Sequence, residues 1–275
     1  MNPLSLFSIK NKIAVITGGA GLLGREHAHA IALAGGIPVI FDVLAAAPIK
    51  VAKALTQEWG TSVYGYEVDI TNIEAIKEVQ RKLSSELGRI DILINNAANN
   101  PKMDGDSKSN ASRFETFSLE AWNQDLAVGL TGAFLCCQVF GAEMAHQGSG
   151  VIVNIASDLS LISPDQRLYR KPDLPDQMQP VKPVTYSVVK SGIIGLTRYL
   201  ATYWADRGVR VNALSPGGVF TGQDAAFVQR LTSLIPLGRM ATPTEYQAAI
   251  IFLCSEASAY MTGNNLVMDG GRTCW

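Results

Sequence analysis

Short apolar runs at residues 13–17, 37–41, 63–68, 90–95, 151–156, 209–214 and 266–268 alternate with longer stretches whose apolar positions recur at helical spacing. A near-continuous apolar run marks a strand covered on both faces, and the intervals between runs are long enough for crossover helices. The pattern predicts one α/β domain over residues 1–275, a Rossmann-type doubly wound parallel sheet of about seven strands. Two connections are unusually long. One spans 99–118 after the fourth run; the other spans 163–184 after the fifth and carries Pro164, Pro172, Pro175, Pro180 and Pro183. Ligands of open α/β sheets bind outside the carboxyl ends of the strands, so both loops are expected over an active site.

Composition narrows the classes. With 47% hydrophobic and 17% charged residues and a formal net charge of -1, the chain has no basic field for nucleic acid. Cys136, Cys137, Cys254 and Cys274 show no C-x-x-C pair and no disulfide-framework spacing, which suits a reducing compartment. The first ten residues lack a signal-peptide pattern, and no apolar run reaches the ~20 residues of a membrane span. The expectation is a cytoplasmic protein without a membrane partner.

Thr17-Gly18-Gly19-Ala20-Gly21-Leu22-Leu23-Gly24 follows the first strand and opens a helix. Glycines let the backbone turn sharply and approach a pyrophosphate, while a helix N-terminus offers unpaired N–H groups. Asp42 ends the second strand, eighteen positions after Gly24, near the spacing at which a carboxylate accepts hydrogen bonds from an adenine ribose. Its charge would repel the 2'-phosphate of NADP, so NAD is the expected cofactor.

In motif content and order, the chain resembles the short-chain dehydrogenase/reductases over nearly its whole length. The matching pieces are the glycine loop, Asp69-Ile70, Asn95-Asn96-Ala97-Ala98, Ser157, Tyr186-Ser187-Val188-Val189-Lys190, Ser215-Pro216-Gly217 and the tail from Met261 to Gly271. The resemblance implies an NAD-dependent oxidoreductase that moves a hydride between nicotinamide and a carbonyl or alcohol carbon. It implies cofactor contacts from Gly18, Gly21, Leu22 and Leu23 at the glycine loop, Asp69 and Ile70 at the adenine, Asn96 at the ribose, and Val219 and Thr221 at the carboxamide, with Lys190 as a further cofactor contact. A homotetramer is implied as well, with the apolar helices around 127–144 and 188–204 pairing across a two-fold axis.

Tyr186 and Lys190 stand four apart on a predicted helix and so share a face. A phenol titrating near 10 is a poor base at neutral pH, and a neighbouring ammonium would bring it into range. Tyr186, Lys190 and Ser157 are therefore the expected catalytic residues, with Ser157 hydrogen-bonding the substrate oxygen. Two departures from the family pattern stand out. Leu22 occupies a position that is glycine in most relatives, a spacing more common in the sugar-nucleotide branch. Gly129, in Val128-Gly129-Leu130-Thr131-Gly132, stands where relatives commonly carry a catalytic asparagine that holds a helix distortion and a relay water. These departures keep two alternatives open, an NAD-binding regulatory or scaffold protein and a sugar-nucleotide epimerase or dehydratase.

No metal is expected. His27 and His29 are two apart on a helix and point different ways, and the run from Asp104 to Glu115 has Lys108 and Ser109 where a calcium loop needs a ligand and a glycine. Cys136-Cys137 reads as buried packing. The substrate is expected to be polar and anionic, such as a sugar phosphate or nucleotide sugar, because Arg167, Arg170, Lys171 and Lys182 populate the second long loop and arginine forks suit phosphate or carboxylate. The stretch from Asp165 to Tyr169 is similar to that of enzymes linked to bacterial flagellin and surface-glycan modification, which points the expectation toward a sugar.

Overall fold

The computed structural model describes residues 2–44, 46–99, 112–172 and 174–275. Seven parallel strands form one sheet: β1 (Ile13–Thr17), β2 (Ile37–Asp42), β3 (Tyr64–Glu67), β4 (Ile92–Asn95), β5 (Gly150–Ile155), β6 (Val209–Pro216) and β7 (Asn265–Met268), in the order β3-β2-β1-β4-β5-β6-β7. Each matches an apolar run to within two residues at either end. The helices are α1 (Leu22–Leu33), α2 (Ala47–Trp59), α3 (Ile73–Leu87), α4 (Leu119–Gln147), α5 (Val184–Tyr203), α6 (Ala225–Thr232) and α7 (Gln247–Cys254).

Period-two alternation along β1 sorts its side chains between two cores. Ile13 and Val15 pack with α3, α4 and α5 through Ile76, Phe140 and Leu200, while Ala14 and Ile16 pack with α1, α2 and α7 through Ile31, Leu55 and Ile250. Strand order reverses between β1 and β4, so the crevice at their carboxyl ends is the switch point at which a ligand belongs.

α4 is, by length and composition, apolar enough to cross a membrane. Cys136, Cys137, Phe140 and Met144 line its inner face at no more than 1% exposure, which makes it a core helix of this sheet. Burial pushes both thiols up, that of Cys137 to about 12, as packing cysteines should behave. Ser118 caps the start of α4 by accepting from Ala121 N at 3.1 Å. The helix widens into π-type turns at Ala127–Thr131 and Cys137–Gly141. The distortion expected to need an asparagine is thus present at Gly129 without one. Val189 of α5 explains the glycine, because a Cβ at Gly129 would lie 2.5 Å from Val189 Cγ1.

Of the first long loop, 100–111 lie outside the described residues, and with them Lys108 and Ser109, the two residues that speak against a calcium loop. The second loop is pinned down. Arg230 of α6 donates to Leu168 O through Nε at 3.0 Å and Nη2 at 2.9 Å, and Leu168 is buried with Leu231, Ile235 and Met240. The Gln179 amide ties Lys171 N, Lys171 O and Leu174 O together. Prolines keep this stretch from regular structure, and side chains supply the missing order.

Candidate active site

The turn out of β1 is built so that no side chain intrudes. Gly18 sits at φ +61°, where a Cβ would be 2.9 Å from Ala97 Cα, and a Cβ on Gly24 would be 2.2 Å from Gly18 O. α1 starts at Leu22 with no side-chain cap, leaving first-turn amides suited to an anion. Asn96 braces the turn, donating from Nδ2 to Thr17 O at 3.0 Å and to Gly18 O at 3.1 Å. At the end of β2, Asp42 accepts from Ala20 N at 3.2 Å and Leu44 N at 3.3 Å, which holds its carboxylate beside the glycine turn. Asp69 accepts from Thr71 N at 2.8 Å and closes the turn after β3. After β6, Gln223 donates to Val219 O and accepts from Thr221 N, both at 2.8 Å, so its side-chain amide engages the backbone groups expected to meet a carboxamide. These elements fit a dinucleotide: a glycine cradle, an uncapped helix start and a carboxylate at the second strand end.

One cleft of about 600 Å³ brings together Gly18, Gly21, Leu22, Leu23, Asp42, Asp69, Ile70, Asn96, Val219 and Thr221 with Ser157, Tyr186 and Lys190. The Tyr186 hydroxyl donates to Ser157 Oγ at 3.4 Å; Ser157 in turn donates to Asp158 Oδ1 at 2.8 Å. Lys190, buried one turn along α5, donates from Nζ to Ile155 O at 2.7 Å. Burial holds the Tyr186 phenol above its ordinary value; the Ser157 hydrogen bond pulls it down and the Asp158 charge pushes it up further. The resting group is therefore a phenol, not the lowered acid that a neighbouring ammonium was expected to produce. Burial, assisted by the charge of Lys182, lowers Lys190 to about 8.

Asp158 and Arg272 of this centre belong to no motif in the sequence, and Tyr169 and Lys182 figure there only as residues of the second loop. Asp158 is fixed by a buried ion pair with Arg272, 2.6 Å from Nη1 to Oδ2, and Arg272 Nε has no hydrogen-bond partner among the described residues. Tyr169 lines the cleft against Phe227, its phenol pushed up to about 12 by burial. Lys182 Nζ stands 3.9 Å above the centre of the Tyr186 ring. Only adjacency to Ser157 could have pointed to Asp158, and nothing local points to Arg272.

Arg167 and Arg170 are paired with acids of their own loop. Arg167 forks onto Asp165 through Nε at 2.9 Å and Nη2 at 2.7 Å with its side chain 81% exposed, and Arg170 lies 3.5 Å from Asp176. Neither lines the cleft; the neighbouring acids satisfy them outside it. His27 is buried in α1 with both ring nitrogens unpartnered among the described residues, whereas His29 stacks on Trp59 at 4.5 Å, so the two do not converge.

Residues 12–168 match the short chain dehydrogenase family model, and residues 176–273 match one described as enoyl-(acyl carrier protein) reductase. A D-threitol dehydrogenase of Mycolicibacterium smegmatis is 34% identical over 272 residues, 97% of this chain and 95% of its own. An NAD-dependent glycerol dehydrogenase of Listeria innocua is 32% identical, covering 97% and 96%. Among solved structures, a gluconate 5-dehydrogenase of Burkholderia cenocepacia in complex with NADP and tartrate superposes with a TM-score of 0.84 at 28% identity, covering 99% of both chains.

Proposed function

The chain belongs to the short-chain dehydrogenase/reductase family and is an NAD(P)-dependent oxidoreductase of CH–OH groups; from that premise we propose an NAD-preferring dehydrogenase of small polyols. The observation that carries the reading is the Tyr186 hydroxyl 3.4 Å from Ser157 Oγ, facing the same cleft as the glycine cradle. Bound nicotinamide supplies the hydride acceptor or donor. Ser157 and Tyr186 hold the substrate oxygen between them, and Tyr186 moves its proton. Lys190 keeps positive charge behind the phenol. Asp42 takes the adenine ribose hydroxyls and repels a 2'-phosphate, which supports NAD over NADP.

A small polyol is favoured over a nucleotide-linked sugar because the arginines that suggested an anionic sugar sit outside the cleft, and because two of the relatives are named for threitol and glycerol. The flagellin and surface-glycan connection rested on that same loop and has no support from the relatives named above. We read the assembly as a homotetramer. Phe134 of α4 and Val188, Tyr199 and Tyr203 of α5 are exposed apolar or aromatic residues on the two helices expected to pair; a monomer by light scattering would overturn this.

The test is formation of reduced cofactor with threitol, glycerol, mannitol and gluconate, run with NAD and NADP in parallel on the native chain and on Asp42→Ser. Turnover of a polyol with NAD, and weakened discrimination in Asp42→Ser, is expected. Cofactor binding without turnover of any polyol would sink the substrate class, and equal use of NADP by the native chain would remove the role of Asp42.

A further inference from the structure

The proton that Tyr186 handles must reach solvent, and the asparagine that serves this route in relatives is absent. Gly129 and Val189 fill its place, with 2.5 Å from a Gly129 Cβ to Val189 Cγ1. Between Gly129 and Lys190 lies a small cavity of about 10 Å³, about the room one water requires. Lys182 borders it. The same residue lines the main cleft and also an outer groove of about 420 Å³ formed with Ser112, Phe114 and Val184. Its backbone is clamped by Gln166, which accepts from Lys182 N at 2.8 Å and donates to Lys182 O at 3.4 Å. Asp125 also borders the small cavity, but its carboxylate oxygens accept from Asn99 Nδ2 at 3.2 Å and from the Thr185 hydroxyl, and it does not line the main cleft.

We propose that Lys182 is the proton carrier of this enzyme, an amine that connects the Tyr186 centre with the outer groove in place of the missing asparagine relay. The inference rests on Tyr186 being the proton-transfer group. In the oxidative direction the carbinol O–H bond breaks as the C–H hydride leaves to the nicotinamide, and the oxygen's proton forms the O–H bond of Tyr186. The proton that Tyr186 held passes through a water to the neutral Lys182 amine. That amine becomes an ammonium and releases the proton to water in the outer groove. Reduction runs the same bonds in reverse.

The surroundings suit a group that cycles. Facing Lys182 and Tyr186 are Lys190 on α5, Asp158 on the turn after β5 with its partner Arg272, and Tyr169 on the second loop; Arg113 and Glu115 line the outer groove, and Asp125 the inner cavity. Burial lowers Lys182 to about 8 while Asp158 pulls it back up, so the amine and ammonium forms interchange close to neutral pH.

Lys182→Met and Lys182→Arg are compared with the native enzyme in polyol oxidation across pH, with and without added methylamine. Lys182→Met should lower kcat by at least about tenfold and should alter the rise near pH 8, leaving only the part that Lys190 contributes in the same range. Methylamine should restore turnover in Lys182→Met and leave the native enzyme unchanged, whereas Lys182→Arg, which keeps charge but cannot release a proton, should stay slow. A native-like Lys182→Arg, a kcat in Lys182→Met within about twofold of native at every pH, or an effect on KM alone would overturn the proposal. Nitrogen NMR of labelled lysine, assigned with Lys182→Met, reads the same amine without turnover. Titration at the ordinary lysine value overturns the proton carrier, while failure of every polyol counts against the substrate class alone.

Discussion

Arg272 and Asp158, 114 positions apart, form a buried ion pair at 2.6 Å, and the same carboxylate accepts a hydrogen bond from the Ser157 hydroxyl at 2.8 Å. The orientation of the serine thus depends on a guanidinium from the end of the chain. Breaking one side of a buried pair leaves the other charge uncompensated. Arg272→Leu should lose about 3–5 kcal/mol of unfolding free energy in denaturant titration. The double variant Asp158→Asn/Arg272→Leu should recover part of it, and a single variant as stable as the native chain would refute the coupling.

Tyr186→Phe should keep cofactor affinity and lose turnover by at least about 100-fold. The direction of its titration adds a pH dependence. A phenol held above its ordinary value is protonated at neutral pH, so it is ready to donate and must be emptied before it can accept. Oxidation should rise and reduction should fall as pH increases above neutral. Initial rates in both directions across pH check this, and parallel profiles would contradict it.

Restoring the family asparagine should fail in this background. Gly129→Asn drives a side chain into the β-branched Val189, which is buried and cannot rotate away. The cost is about 1–3 kcal/mol. Thermal melting should show Gly129→Asn destabilised and Gly129→Asn/Val189→Ala substantially recovered; equal melting of the two would mean that Val189 is not the obstacle.

Arg167→Ala/Arg170→Ala should leave KM within about twofold and stability within about 0.5 kcal/mol, since both are exposed side chains paired with local acids. A large rise in KM would return these arginines to the substrate.

What the chain announces by itself is whatever is local. A strand covered on both faces must be apolar along its length, so the seven runs were legible. A backbone that must pass close to Ala97 and Gly18 admits only glycine, so the cradle was legible too. Tyr186 and Lys190 share a helix face by arithmetic. Tertiary structure decided the rest, because it concerns which charges find partners. Arg167 looked available on the loop, yet Asp165 two residues away satisfies it, whereas Arg272 reaches the centre, brought there when β7 docks beside β6. Lys182 was one more loop cation until α5 and Gln166 set it over Tyr186. Gly129 read as a loss, and only its packing against Val189 shows that the helix keeps its distortion by other means. Charge and shape complementarity act through space, and a distance of a few ångströms between residues far apart in sequence leaves no local pattern to read.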